Sequence, residues 1–144
     1  MFTQVLGRGK IVLVLRLMAI SFLMAVFMSS QATGAPVYTA SYYTYASCIR
    51  EGTSGIMANG RRLQDEGVCT AAMWKVPFGT KVKVKNVTKG HKGYGKEVIV
   101  TITDRGPAKR LVRQGRIIDL NYEAMHRLDG IKRGLIQVEI TILD

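Results

Sequence analysis

Two acidic residues stand where predicted strands end, in a chain that is otherwise strongly basic. The β-branched segment Glu97 to Thr103 predicts a strand, and it runs straight into Asp104. A second short apolar segment, Ile117-Ile118, ends in Asp119. An acid at a strand end within a basic groove is the arrangement expected of a general acid that acts on a polyanionic polymer. Asp104 is therefore the candidate catalytic acid/base.

The N-terminal segment has the composition of a secretory signal peptide. It contains no Asp or Glu through Ala35, and three cations, Arg8, Lys10 and Arg16, stand before an apolar and small run from Leu17 to Met28. Small residues at the end of the segment predict cleavage after Ala35. The alternative is a retained membrane anchor, since the apolar stretch is nearly long enough to span a bilayer. We expect a secreted or periplasmic protein that contacts membrane only through this segment if it is uncleaved.

Residues 36–144 amount to one small domain, and its charge suggests an anionic partner. Removing the three signal-region cations from 21 Lys and Arg leaves 18, against 10 Asp and Glu, so the net charge of this part is +8. Such a charge favours a polyanion or an anionic surface. An exported protein rarely meets nucleic acid, and no nucleic-acid-binding signature appears. The bacterial cell wall is the better candidate. We expect a monomer. We also expect no cofactor, since no metal-ligand spacing occurs.

The two cysteines of the chain, Cys48 and Cys69, predict one disulfide in an exported domain. The bridge would close a Gly-rich polar loop of about 20 residues and contribute roughly 3 kcal/mol by the chain-entropy estimate. The alternative is a pair of buried free thiols.

The remaining pattern predicts about six short strands and one helix. Further strands are expected at Tyr38 to Ala46, Lys81 to Val87 and Leu135 to Leu143, one helical turn at Thr70 to Trp74, a loop from Cys48 to Gly67, and the helix at Asn121 to Leu128. Asn121 is the predicted N-cap of that helix. Short strands with tight turns in so small a chain predict an all-β fold, a closed barrel.

Seven short motifs then occur in one order across nearly the whole of residues 40–142. They are Ala40 to Tyr43, Met57 to Gly60, Thr70 to Ala72, Val76 to Thr80, Val82 to Asn86, Asp104 to Pro107 and Arg116 to Leu120. In this set and order the chain resembles the double-psi β-barrel of the rare lipoprotein A-like septal-ring lytic transglycosylases. The resemblance implies a six-stranded double-psi barrel over residues 36–144. It also implies an exported enzyme that cleaves the glycan strands of peptidoglycan.

Two positions depart from the pattern of that family. The family usually has an acid where this chain has Arg61, and a His where it has Met73. Asp104 matches the family's barrel aspartate. The departures favour an alternative, a wall-binding module without catalysis that acts like an expansin; a barwin-like inhibitor or toxin is a weaker one. The intact Asp104 to Pro107 motif favours the enzyme.

One carboxyl suffices for a lytic transglycosylase, because the C6 hydroxyl of muramic acid attacks its own anomeric carbon and no water is activated. Asp104 could protonate the leaving oxygen and then accept the C6 proton, or it could only cap amides of its own turn. Asp119 could contact substrate and raise a neighbouring pKa, or it could only anchor amides of the barrel or of the following helix start. Tyr43 could stack on sugar, or it could only pack in the core or lie exposed on the first strand.

Two further residues are candidates for substrate binding. Asn59 could bind substrate hydroxyls or only form its Asn-Gly turn in the left-handed conformation. Arg105 is expected to face a neighbouring strand or a substrate carboxylate.

Overall fold

The computed structural model describes residues 34–143, so nearly all of the predicted signal peptide lies outside the described residues. The strands are β1 (Tyr38–Tyr43), β2 (Thr70–Ala72), β3 (Lys81–Asn86), β4 (Glu97–Asp104), β5 (Arg116–Asn121) and β6 (Ile136–Leu143), and the helices are α1 (Tyr45–Arg50), α2 (Lys109–Val112) and α3 (Tyr122–Arg127). The strands close into a barrel in the order β1-β5-β2-β4-β3-β6. The predicted six-stranded barrel is confirmed, with three short helices where one was predicted.

Alternating side chains form the barrel as the sequence predicts. Val82 and Val84 of β3 are fully buried, whereas the lysines that alternate with them point outward. On β4, Val98 and Val100 stand opposite these two valines in the antiparallel register. A strand with one buried face places every second residue in the core, so this register leaves Lys81, Lys83 and Lys85 on the outer surface.

The segment predicted as a helical turn, Thr70 to Trp74, instead contains strand β2. Its three residues are all buried, and it pairs with β4 in parallel and with β5 antiparallel. Ala71 and Ala72 favour helix by composition, but tertiary pairing overrides so weak a preference. The prediction was wrong because a strand of three residues carries almost no periodicity.

The first predicted strand is also shorter than expected, since β1 ends at Tyr43 and α1 follows. Thr44 caps this helix: its side chain accepts a hydrogen bond from the Ser47 amide, and the Ser47 side chain accepts one from the Thr44 amide. This reciprocal pair is a capping box with Ser in place of the usual Glu or Gln, and that substitution hid it in the sequence. Part of the predicted loop from Cys48 is therefore helical.

The predicted helix near the C-terminus is confirmed as α3. Asn121 is its N-cap and accepts a hydrogen bond from the Ala124 amide, while Ala124, Met125 and Leu128 are fully buried. Asn121 is itself fully buried and binds the loop before β2: its Nδ2 donates to the carbonyls of Gln64 and Val68 at 2.9 and 2.8 Å. Across residues 34–143, no helix is both long and apolar enough to cross a membrane.

The predicted disulfide is not formed, since Cys48 and Cys69 are both free thiols. Cys48 lies in α1 and faces the surroundings of Asp104, whereas Cys69 packs at the edge of the core. Hydrogen bonds hold the intervening loop instead. Asp65 accepts the amide of Tyr45 at 2.8 Å, and Asn121 holds the end of the loop. These hydrogen bonds order the loop without a disulfide bridge.

Candidate active site

Pairing around β2 brings the two predicted aspartates together. Ala72 stands opposite Asp104 on β4 and opposite Asp119 on β5. Neighbouring strands lie about 4.8 Å apart, so the Cα atoms of the two aspartates are roughly 10 Å apart across Ala72. On the far side of Asp119, strand β1 places Ser41 opposite it. Four adjacent strands thus present a row of polar and small side chains at one end of the barrel.

A cleft of about 320 Å³ opens over this row. Asp104, Asp119 and Tyr43 line it, and Ala72 and Gly106 form part of its wall. A Cβ added to Gly106 would lie 3.3 Å from the Cβ of Ala72 and 3.5 Å from Oδ2 of Asp119. Glycine and alanine at these positions therefore leave the space above the aspartates open. The cleft thus has an aspartate, Asp104, and a tyrosine, Tyr43, in its lining.

The Asp104 carboxylate is half-buried and fixed through one oxygen. Its Oδ1 accepts the amides of Ala58 and Arg105, both at 2.8 Å. The turn-capping interpretation is therefore correct for Oδ1. The second oxygen, Oδ2, accepts no backbone amide within residues 34–143, so capping of the turn through Oδ1 is compatible with a chemical role.

Asp119 is also partly buried, and its environment raises the pKa of its carboxyl. Burial raises the pKa of its carboxyl, and the negative charges of Asp104 and Glu51 raise it further. A hydrogen bond from Ser41 Oγ to Asp119 Oδ1 and the charge of Arg116 act in the opposite direction. Since burial is the largest of these effects, Asp119 holds a proton to higher pH than an exposed aspartate.

Tyr43 places a neutral phenol beside both carboxyls. Its hydroxyl is buried and interacts with the Asp104 carboxylate, without forming a well-aligned hydrogen bond to it. Burial raises its pKa far above the ordinary value, and the charges of Asp104 and Asp119 raise it further. The phenol therefore stays protonated and can donate a hydrogen bond to a molecule bound in the cleft.

Arg105 lines the cleft, but its guanidinium is held by groups outside it. Its Nη1 donates to the carbonyls of Met73 and Val76 at 3.0 and 2.9 Å, and its guanidinium lies 3.8 Å from the centre of the Phe78 ring. The side chain thus faces the connection between β2 and β3, as one of its two predicted orientations required. Through these contacts the Arg105 side chain holds the connection between β2 and β3 in place.

Asn59 lies beside a neighbouring groove with Phe78 and not in the cleft. Its Oδ1 accepts the amide of Arg61 at 3.0 Å. The left-handed residue of the Asn-Gly turn is Gly60, with φ of 84°, so the predicted left-handed conformation of Asn59 is wrong. Because glycine adopts positive φ at no steric cost, the asparagine is free to close the turn with its side chain.

Two cleft residues, Glu51 and Cys48, and one neighbour of the cleft, Ser41, escaped the sequence analysis. Ser41 carries the hydrogen bond to Asp119, Glu51 follows α1 as its C-cap, and Cys48 faces the cleft from that helix. Only the fold brings α1 over the barrel end, so sequence spacing gave no sign of Glu51 or Cys48. For Ser41, the signal was its position within the first family motif. No group of three or more potential metal ligands comes together in residues 34–143.

The two positions that depart from the family pattern lie outside the cleft. Arg61 is exposed beside the neighbouring grooves, and Met73 packs against the core. Glu51 lines the cleft as a third carboxyl group, with Asp104 and Asp119.

Comparison with known proteins identifies the family of this chain. The family model described as lytic transglycolase matches residues 37–140. The chain belongs to this family. The family match supports the double-psi barrel predicted from the motifs, and the six strands do close into a barrel.

Curated relatives of this lytic transglycosylase family match only in part of their length. Proteins named probable endolytic peptidoglycan transglycosylase RlpA are 41% identical over 60% of this chain in Nostoc sp. and 38% identical over 72% in Aquifex aeolicus. The endolytic peptidoglycan transglycosylase RlpA of Vibrio cholerae is 32% identical over 62%. The matches span 20%, 39% and 30% of those relatives. A crystal structure of cerato-platanin 3 from M. perniciosa aligns over 76% of this chain and 95% of its own, at 16% identity and a TM-score of 0.46.

Replacing Asp119 with Asn tests the raised pKa. Between the unfolded pKa near 4 and the higher folded pKa, the native protein binds the proton more tightly than the unfolded chain, so native stability falls as pH rises through that window. Asn cannot ionise. We expect the free energy of unfolding of Asp119→Asn, relative to the unchanged protein, to increase between pH 4 and pH 7 in urea denaturation.

Asp129 provides a control of opposite sign. Ion pairs with Lys92 and Lys96 lower its pKa to about 2. Asp129→Asn should therefore lose stability at pH 7, and that loss should shrink as pH falls from about 4 towards 2. If Asp119→Asn behaves like this control, Ser41 and Arg116 hold Asp119 as a carboxylate and its raised pKa is refuted.

Proposed function

We propose that this protein is an exported endolytic peptidoglycan transglycosylase, which cleaves glycan strands without water and leaves 1,6-anhydro-muramic ends. The observation that carries the proposal is the open cleft in which Asp104, Asp119 and the buried phenol of Tyr43 meet. Family membership and the names of the relatives support the same reaction.

Asp104 acts as the general acid and then as the base. Its proton passes to the glycosidic oxygen as the bond to muramic C1 breaks, and the C6 hydroxyl of the same sugar bonds to C1. The carboxylate then takes the C6 hydroxyl proton, so the residue returns to its starting state and no water is consumed. The attack is within one sugar ring, so positioning supplies much of the rate.

The contacts of Asp104 support its role as the base. The amides of Ala58 and Arg105 at Oδ1 stabilise the carboxylate that accepts the C6 hydroxyl proton. Oδ2 is left for the substrate. Asp119 and Tyr43 are the proposed substrate-binding residues, because both line the cleft beside Asp104 and the buried phenol of Tyr43 keeps its proton. Arg105 and Asn59 are omitted from this set because of their other contacts.

The location of the protein follows from the segment before the barrel. We infer export, with cleavage after Ala35, and a secreted or periplasmic protein that works as a monomer. The net charge of +8 on residues 36–144, obtained above from 18 cations and 10 acids, would hold the barrel on the anionic wall.

Product analysis tests the function. The protein is incubated with purified peptidoglycan and with peptide-stripped glycan, and soluble fragments are examined by mass spectrometry. We expect new 1,6-anhydro-muramic ends from at least one substrate. No product from either, together with salt-sensitive pelleting of the protein on the wall, would make it a binding module in which Asp104 only caps its turn.

A further inference from the structure

A groove of about 710 Å³ lies beside the cleft, and its rim is cationic. We call it the basic groove; the charged residues that line it are Arg61, Arg62, Lys81 and Arg127. Among the described residues that line it, none carries a carboxyl group. Met57 lines both this groove and the Asp104 cleft, so the two concavities share a wall. The ligand group that complements this rim is an anion.

Most of the positive charge of the basic groove is not neutralised by the protein. Within residues 34–143, Arg127 is the one groove cation that pairs with a carboxylate, that of Glu123 at 2.8 Å. Lys81 Nζ donates to the neutral hydroxyl of Thr101 at 2.5 Å, a contact that positions the ammonium group and keeps its charge. Arg61 is exposed. Arg61 and Lys81 are therefore the cations that a bound anion can reach.

One tight turn connects Arg61 with the proposed acid/base. The amide of Met57 donates to the carbonyl of Arg61 at 2.8 Å, and the next amide, that of Ala58, donates to Asp104 Oδ1 at 2.8 Å. Arg61 thus belongs to the same turn as a backbone group that binds the reacting carboxylate. Because Arg61 stands where the family usually has an acid, the charge at this position is reversed in this chain.

Strand β4 sets the separation between Lys81 and the same acid. Lys81 of β3 pairs with Thr101 of β4, and Asp104 is the last residue of that strand. From Thr101 to Asp104 the strand advances roughly 10 Å at 3.3 Å per residue. Thr101 and Thr103 line the basic groove along this path. The separation is comparable with the length of one disaccharide of a glycan strand.

The chemistry of a peptidoglycan strand supplies an anion at this spacing. Muramic acid carries a lactyl ether on C3, and the carboxyl of that lactyl group is ionised at neutral pH when nothing is attached to it. A stem peptide is joined to this carboxyl as an amide and removes its charge. A strand without stem peptides therefore presents one carboxylate in every disaccharide.

We propose that the basic groove binds the free lactyl carboxylate of the muramic acid one disaccharide away from the muramic acid held at Asp104, with Lys81 and Arg61 as its partners. This inference rests on the proposed function and adds the substrate group that the groove recognises. The shared wall at Met57 allows one strand to occupy both the cleft and the groove. The two cations determine specificity and take no part in the chemical step.

A binding measurement that needs no turnover tests the proposal. The Asp104→Asn protein is titrated with soluble peptide-free glycan oligosaccharides, and with the same oligosaccharides after their lactyl carboxyls are converted to neutral methylamides. We expect a dissociation constant roughly 3- to 10-fold lower for the free carboxylates, the range that one or two exposed ion pairs supply, and a preference that declines with added salt. Adding Arg61→Gln and Lys81→Gln should abolish the preference.

A matched control removes the same two charges elsewhere. Lys132→Gln with Arg133→Gln changes exposed cations that do not line the groove and should leave the preference intact. Equal affinity for the two forms, a preference that survives the groove substitutions, or an equal loss with the control overturns the proposal. So does an equal loss of affinity for both forms on substitution of the groove cations, which would mean that the groove binds an uncharged part of the strand. Since binding is measured on a protein without its proposed acid, absence of catalysis would count against the proposed function alone.

Discussion

Asp104→Asn is expected to reduce formation of 1,6-anhydro ends at least about 100-fold, because general acid–base catalysis contributes a factor of that order or more. Asn has the same shape, and its amide oxygen can still accept the amides of Ala58 and Arg105. The turn should therefore persist while the transferable proton is lost. Initial rates on soluble glycan, with the melting temperature measured alongside, separate chemistry from folding.

Asp65→Asn is the matched control for this loss. Asp65 also accepts a backbone amide, that of Tyr45 at 2.8 Å, and it does not line the cleft. The same chemical change there should leave the rate within a few-fold of the unchanged protein. If Asp104→Asn keeps its full rate, or if Asp65→Asn loses as much, Asp104 is not the acid/base.

Asn121→Ala is expected to destabilise the protein by about 3 kcal/mol or more. The side chain accepts the amides of Thr70 and Ala124 and donates to the carbonyls of Gln64 and Val68, and it is fully buried. Truncation leaves several backbone groups without partners, each at a cost of about 1–3 kcal/mol when it remains buried. Equilibrium urea unfolding gives the change directly.

Asn59→Ala makes the same truncation in an exposed turn. Its single side-chain bond, to the Arg61 amide, can be replaced by water, so a loss within about 1 kcal/mol is expected. The rate on glycan should also be nearly unchanged, since Asn59 does not line the cleft. A small effect of Asn121→Ala, comparable with that of Asn59→Ala, would show that the buried hydrogen bonds do not hold the loop before β2.

Long alternating strands and a capped helix were predictable from the sequence for physical reasons. In β3 and β4 a strict two-residue period requires one buried face, and Asn121 marks the start of α3 by its hydrogen bond to the backbone. The three residues of β2 were not predictable in this way. Their conformation comes from pairing with two strands that are remote in sequence, and an Ala-rich segment by itself favours the other structure.

The candidate site was predicted only as far as strand ends reveal it. Asp104 and Asp119 stand at recognisable positions, but nothing local shows that both face Ala72. Glu51 and Cys48 reach the cleft through α1, whose Ser-based capping box is a weak signal. The disulfide was predicted from two cysteines in an exported domain and from the Gly-rich composition of the loop between them. Both thiols are free, and distant partners such as Asn121 order the loop. Contacts between segments remote in sequence therefore account for most of the site features that could not be predicted.

Cleavage in water labelled with ¹⁸O tests the central claim most directly. Peptidoglycan strands are digested in H₂¹⁸O, and the masses of the new muramic ends are determined. Intramolecular attack by the C6 hydroxyl predicts anhydro ends without ¹⁸O. New reducing ends that carry one ¹⁸O would contradict it, because they would show that the cleft of Asp104 and Asp119 activates water and that the protein is a hydrolase.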